Sequence, residues 1–509
     1  MARPASSVVI RGGLLVDAAA RAALPADILI VGDTVAEVGA PGLAAPPDAR
    51  RVDATDRLLI PGLINAHTHS HANLPRSAGD RVTLELALHL NPAIRGNQTA
   101  EDKYLAALLG AAEMIRKGCT ACYDLFYEFP SPSMEGVEVV AQAYLDAGMR
   151  AVIAPMLASH SLYRAVPGLL DAIPEPHRAR LAGGDPSAAD AANLAVSRRL
   201  LERWRFDRDR VLPALAPTIP LHCSDALWRE AAALARAHGA GLHTHLAESK
   251  VQALAGMERY GRTLTAHLQA LGVLGPNFTA AHGVWLDDDD VRRLADAGAS
   301  VVHNPGSNMR YGSGLAAVRR MLDGGLNVGI GTDSRSCSDN LNMFEAMRLA
   351  SFTSRARGPD YRRWLGTEEV FAMATEGSAR ALGFAGRLGR IAPGYKADTV
   401  FLDRRNMNYV PLNDVTSQIV NAEDGTAVDS VMIGGRMVLD HGRFTTLDYH
   451  GLAGRAERAM ERLRNVNAEA RDLARRLEPV VGSFCMALAC HPYHVQRFVA
   501  DDPTDPRTG

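Results

Sequence analysis

From about residue 61 to residue 390, short apolar runs alternate with amphipathic stretches at helical spacing, and this alternation restricts the fold more than any other feature of the chain. Runs such as Ala151-Val152-Ile153-Ala154, Val211-Leu212-Pro213-Ala214-Leu215, Ser300-Val301-Val302 and Asn327-Val328-Gly329-Ile330 read as buried strands. The stretches 101–117, 190–205 and 225–238 read as helices. Repeated strand-then-helix units predict an α/β fold with a parallel sheet, in its simplest form a (β/α)8 TIM barrel. A doubly wound sheet is the alternative, but no glycine-rich phosphate loop follows the first strand.

Both flanks have a different texture. Val8-Val9-Ile10 leads to a predicted turn at Gly12-Gly13, Asp27-Ile28-Leu29-Ile30-Val31 ends at Gly32-Asp33, and the same pattern returns around Gly434-Gly435. One small β-sandwich assembled from both chain ends is expected, with residues 1–60 as its N-terminal part and 391–446 as its C-terminal part around the 61–390 barrel. Residues 447–509 are read as a helical extension. Within it, Ala459, Leu463, Val466, Ala470, Leu473 and Leu477 recur at 4-3 spacing along one charged helix over 451–478, expected to pack on the barrel.

The formal net charge of −2 argues against a nucleic-acid or anionic-membrane partner and points to a small-molecule substrate. Six cysteines in 509 residues are too few for a disulfide scaffold. Met1-Ala2-Arg3-Pro4 lacks an apolar signal core, and no run approaches the roughly 18 apolar residues of a membrane helix. The expected location is cytoplasmic.

Chemistry-bearing residues gather at the ends of the predicted strands. In Leu63-Ile64-Asn65-Ala66-His67-Thr68-His69, the two histidines are two residues apart on one strand, so both project from the same face about 7 Å apart. Later come His243 and His245 with Glu248, then His282, His303 with Asn304, and Asp333. From His245 onward the gaps are about 20–40 residues, the length of one strand–helix unit, which places each residue at the C-terminal end of a different strand, where barrels carry their chemistry. Imidazole and carboxylate suit one divalent cation, zinc first and iron second. Two histidines from the first strand, one from a middle strand and one aspartate from the last leave a position for a water, whose pKa a bound cation brings to about 7. Glu248, three residues past His245, is placed to shuttle protons, and His282 to polarise the substrate or steady the nucleophile.

These motifs resemble the amidohydrolase superfamily, in its cytosine-deaminase-like and triazine-hydrolase-like branch. The matching stretches are PGLINAHTHSH at 61–71, HTHLAES at 243–249, AHGVWL at 281–286, HNPGSNM at 303–309, GIGTDS at 329–334 and GRIAPGYKADTVFLD at 389–403. The resemblance implies that His67, His69, His245 and Asp333 ligate the metal, that Glu248 and His282 are catalytic, and that Asp333 also accepts a proton from the water. It suggests a homodimer or larger assembly. Relatives with two metals carry a lysine after the fourth strand; its absence from Val211 to Pro217 favours a single ion. Where many relatives have Pro-His-Ala-Pro, this chain has Pro217-Thr218-Ile219-Pro220, with His222 as a candidate replacement, and Ser334 follows the metal aspartate where glycine is commoner.

Candidate substrate contacts are His71, His160, Tyr163, Arg164, His303, Asn308 and Ser334. His303 is read first as a buried, hydrogen-bonded support at a strand end, and Asn308 equally as part of a turn. His243 is read as a structural neighbour of His245, and Cys119 and Cys122 as core despite their C-x-x-C spacing. Cys485 and Cys490 beside His491 have the form of a metal cluster but no fourth ligand. The run Asp287-Asp288-Asp289-Asp290 suits a helix N-terminus. The expected activity is metal-dependent hydrolysis at a carbon–nitrogen bond, foremost deamination of an N-heterocycle such as a purine, pterin, pyrimidine or triazine. Dechlorination or dealkylamination of a triazine, or urea or carbamate hydrolysis, is the alternative. A non-catalytic scaffold is the remote one, disfavoured because all the ligand and catalytic positions are filled.

Overall fold

A computed structural model of the chain describes residues 7–77 and 79–498. The opening Met1-Ala2-Arg3-Pro4, read above for a signal sequence, lies outside the described residues. Among those described, no helix is long and apolar enough to cross a membrane.

The middle of the chain is α/β with parallel sheets. A five-stranded sheet contains Leu63–Thr68, Cys119–Phe126, Arg150–Leu157, Val211–Pro213 and Ala216–Pro217; a four-stranded sheet contains Leu242–Leu246, Phe278–His282, Ser300–His303 and Asn327–Ile330. The expected single strand from Val211 is split in two. Pro213 and Pro217 carry no N–H, so the ladder is interrupted there, and the strand changes partners: Ala214 donates to the Ile153 carbonyl, Leu215 to Gly241. A parallel bridge between Leu215 and Leu242 then links the two sheets. At the opposite seam the Asp333 N–H donates to the His67 carbonyl at 2.9 Å. Alternate residues of the first sheet (Ile64 and Ala66, Ala121 and Tyr123, Val152 and Ala154) pack together in one cluster, as a strand's two-residue period requires.

The two chain ends meet in one nine-stranded sheet. Thr399–Asp403 runs antiparallel to Arg57–Pro61, pairing Thr399 with Pro61 and Asp403 with Arg57. The turn expected at Gly12-Gly13 is instead a bulge inside the continuous strand Ser7–Asp17: the register slips between Ile10 and Gly13, and Gly12 takes φ +80°. At Gly434-Gly435, both residues have positive φ, as a two-residue hairpin turn of type I′ demands.

This sheet is fastened to the parallel sheets by a buried fork. Arg150, opening the strand Arg150–Leu157, donates from Nε and Nη2 to both carboxylate oxygens of Asp398 at 2.9 and 3.2 Å. The Gly434 N–H adds a third donor to the same carboxylate at 2.8 Å. Arg150→Met strands a buried carboxylate and is expected to cost about 3–5 kcal/mol, read as a lowered urea midpoint; a midpoint equal to that of the parent would show that the pair does not secure the sheet.

The helix expected over 451–478 is two helices, Tyr449–Val466 and Ala468–Ala489. The break falls at Asn467, which is buried and donates to the Gly96 carbonyl at 2.9 Å while accepting from Asn97 at 2.8 Å. Its side chain is satisfied by a distant loop rather than by solvent, so the heptad-like pattern continues while the axis does not.

Candidate functional site

The opening strand, Leu63–Thr68, is buried throughout. Asn65 reaches the end of the last parallel strand, donating to Thr332 Oγ1 at 2.7 Å and accepting the Thr332 N–H at 3.0 Å. These bonds, with Asp333 N–H on the His67 carbonyl, lay Asp333 directly over the two histidines. Gly331 permits the approach: a Cβ there would lie 2.8 Å from His67 Cβ and 2.4 Å from Asn304 Oδ1. Asp124 accepts the Ser70 N–H at 2.8 Å and pins the turn after His69.

Ligating atoms of His67, His69 and His245 lie within 4.8 Å of one another, as do those of His67, His282 and Asp333. Hydrogen bonding assigns the tautomers. His69 Nδ1 is 2.7 Å from the Leu125 carbonyl and His245 Nδ1 is 2.7 Å from the Thr218 carbonyl; carbonyls only accept, so both hydrogens sit on Nδ1. The two Nε2 lone pairs then face each other at 3.2 Å, with Asp333 Oδ1 3.2 Å from His69 Nε2. Burial, reinforced by His69, holds His67 well below the usual histidine range and His245 at about 3, keeping both rings in the neutral, ligating form. Both ring nitrogens of His67 are buried without a partner. Converging lone pairs, a carboxylate and no hydrogen between them fit a divalent cation, and the carbonyls behind His69 and His245 orient the rings as metal-site supports do.

Glu248 and His282 stand beside this group. Glu248 is 2% exposed and its Oε2 has no hydrogen-bond partner. His282 Nδ1 donates to Asn308 Oδ1 at 2.9 Å, leaving a bare Nε2 that is 3.6 Å from Glu248 and 3.9 Å from Asp333. The two carboxylates are driven apart. Burial, then the charges of Asp333 and Glu85, pushes Glu248 well above the ordinary carboxyl range. Burial also raises Asp333, but His69, His67 and His282 outweigh it and hold Asp333 well below that range. Ala247, His282 and Asp333 all have positive φ (+49°, +71°, +59°), three of the nine such non-glycine residues among those described. Left-handed backbone costs a side-chain-bearing residue about 1 kcal/mol or more, so its concentration here is backbone strain held where strand ends meet the site.

A cavity of about 490 Å³ opens over the group. His71, His160, Tyr163, Ser334 and His222 line it; Arg164 is exposed and does not. His303 and Asn308 are buried behind His282 rather than in the wall, and His243 packs beneath, its ring 5.1 Å from that of His67. Cys119 and Cys122 are core thiols, with burial pushing Cys119 up to about 12. Cys485 is buried and Cys490 exposed, and among the described residues no metal-competent group includes a cysteine. The aspartate run caps a helix, Asp287 accepting the Asp290 N–H.

Two parts of the cavity wall were missed from sequence. Leu84–Arg95 contributes Arg95, and Ala468–Ala489 contributes Leu473, Ala474 and Leu477. His89 ties these helices together, donating from Nε2 to the Ala474 carbonyl at 2.8 Å and accepting from Tyr163 Oη at 2.6 Å. The available signal was Glu85 and His89, two polar residues four apart on one face of a helix whose first seven residues are otherwise apolar.

The sequence profile of the Amidohydrolase family matches residues 58–438, about three quarters of the chain. The chain belongs to the amidohydrolase family. It is 35% identical over 461 residues to a 5'-deoxyadenosine deaminase of Methanothermobacter thermautotrophicus, covering 90% of this amidohydrolase and 99% of that protein. It is 34% identical over 446 residues to a 5-methylthioadenosine/S-adenosylhomocysteine deaminase of Syntrophobacter fumaroxidans, covering 87% and 93%. Among solved structures, an adenosine deaminase from Xanthomonas campestris with bound zinc superposes with a TM-score of 0.79 at 27% identity, over 91% of this chain and 100% of that one.

Proposed function

We propose that this amidohydrolase removes an exocyclic amino group from an N-heterocycle by hydrolysis, releasing ammonia. The observation that carries the reading is the pair of carboxylates on either side of His282, one pushed up and the other held down. Two neighbouring carboxyls with opposite tendencies provide an acid and a base in one cavity. The deaminase names of the relatives support the same chemistry.

His67, His69, His245 and Asp333 would hold one divalent ion, zinc in keeping with the Xanthomonas relative. When bound, such an ion supplies a nucleophile from water at neutral pH and polarises the atom under attack. Asp333, ionised, takes up the proton of the attacking water. Glu248, protonated, donates to the ring nitrogen beside the carbon; Asp333 then passes the water's proton to the amine, which leaves as ammonia, and the added hydroxyl becomes a carbonyl as its proton returns to Glu248. His282, with its hydrogen held on Nδ1 by Asn308, presents a bare Nε2 that orients the water. Asn308→Leu frees the ring to take the other tautomer and is expected to lower kcat by about 10- to 100-fold, an effect of the size seen for outer hydrogen-bond partners, with the melting temperature as the control for folding. The seam hydrogen bonds and the shared inner cluster support reading the two parallel sheets as one (β/α)8 barrel, and the nine-stranded sheet, folded around Ile10, Ile28, Phe401 and Met432, as the small sandwich.

The test is a panel on the zinc-loaded protein: 5'-deoxyadenosine, 5-methylthioadenosine, guanine, cytosine and pterin, with ammonia, chloride and alkylamine each detected separately. Ammonia from at least one aminoheterocycle is expected. Metal-loaded protein that releases none, but frees an amine from a urea or carbamate, overturns the reading.

A further inference from the structure

One wall of the cavity holds a guanidinium that pairs with no carboxylate among the described residues. Arg95, the last residue of Leu84–Arg95, is 8% exposed and lines the cavity. Among the described residues it forms no ion pair with a carboxylate, whereas Arg335 nearby in the chain to Ser336 pairs with Glu113 at 2.7 Å. Arg95 Nη2 donates to Ser336 Oγ, and Nε is buried with no partner. Its remaining neighbour is His71, whose Nε2 is 3.3 Å from Nη1. That contact is not a hydrogen bond between complementary groups. His71 Nδ1 accepts the Tyr127 N–H at 3.1 Å, so Nδ1 carries no hydrogen and the ring hydrogen sits on Nε2. An imidazole N–H and a guanidinium N–H therefore meet at 3.3 Å as two donors facing each other.

A buried guanidinium without acceptors is costly, and a planar fork of donors matches two adjacent acceptor atoms. The His71 ring lies 5.5 Å from that of His69, so these two donors border the metal-competent group. We propose that Arg95 and the His71 Nε2–H form a donor clamp for an acceptor-only edge of the substrate, so that this enzyme takes aminoheterocycles bearing a carboxylate or a carbonyl oxygen beside a ring nitrogen. The proposal rests on the deamination reading and narrows it. Guanine's O6/N7 edge has this pattern, and arginine reads it bidentately; an adenine edge answers the same fork with an amino donor.

The experiment uses two matched pairs on the metal-loaded protein, each pair sharing its leaving amine. Guanine against 2-aminopurine tests the carbonyl oxygen, and pterin-6-carboxylate against pterin tests the carboxylate. Each pair is measured by kcat/KM for ammonia release and by equilibrium binding. The parent is expected to prefer the oxygen-bearing member of at least one pair by tenfold or more, mainly through KM. Arg95→Met is expected to shrink that ratio by about 10- to 100-fold, the worth of hydrogen bonds to a charged group. Arg95→Lys, which keeps the charge but not the fork, serves if Arg95→Met does not fold, and is expected to shift the ratio the same way. A parent with no preference within either pair, in turnover or in binding, overturns the clamp, as does a preference that survives both substitutions. Ammonia from 2-aminopurine or pterin without preference sinks the clamp and leaves the deaminase reading standing. A binding preference lost with Arg95, but no ammonia from any member, does the reverse.

Discussion

Glu248→Gln is expected to lower kcat by about 10³-fold, within the range that a positioned general acid contributes, while the protein keeps its metal and its melting temperature. The substitution is nearly isosteric and removes only the proton that the side chain can give. Glu248 makes no ion pair that holds the fold together: its Oε2 is buried without a hydrogen-bond partner, and its backbone N–H, not its carboxyl, is tied to Gln252 at 3.0 Å. Structure and stability should therefore survive while proton transfer fails. The measurement is single-turnover ammonia release beside metal content and a thermal melt. If Glu248→Gln retains parental kcat, Glu248 is not the shuttle and the contrast between the two carboxylates loses its mechanistic meaning.

His67→Ala is expected to abolish activity, by about 10⁴-fold or more, and to reduce bound zinc to background in elemental analysis. The argument lies in the two Nε2 lone pairs at 3.2 Å, which repel unless a cation is shared between them. His67 is the residue common to both ligand groups, so its loss dismantles each. Chelation of the parent should mimic the variant. Because an ion that binds only the native state stabilises it by roughly 4 kcal/mol at a thousandfold excess over Kd, the chelated protein should also melt lower and regain both activity and stability when zinc is restored. A chelated protein that melts and turns over as before would show that these residues hold no ion the enzyme needs.

How much of this was legible in advance follows from the range of each interaction. The metal-competent histidines were readable because their geometry is local: two residues apart on a strand means one face, and a strand–helix unit between motifs means one end of a sheet. The hairpin at Gly434-Gly435 and the helix cap at Asp287 were readable for the same reason. The bulge at Gly12 was mistaken for a turn because a glycine of positive φ serves both, and the choice depends on whether the flanking strands pair with each other or with Ala22–Val31. The break at Asn467 was missed because its cause is a loop some 370 residues away.

The sequence alone therefore determined the alternation of strand and helix, and that the histidines of the metal-competent group share one end of the sheets, since each depends on spacing along a few dozen residues. Only the tertiary structure decided how burial and neighbouring charges set Glu248 and Asp333 apart, which helices wall the cavity, and that Arg95 stands opposite Ser336 and His71 with no carboxylate partner among the described residues. Those outcomes depend on burial and on charges brought together from distant segments, and the energy of a buried charge is set by its neighbours in space rather than by its neighbours in the chain.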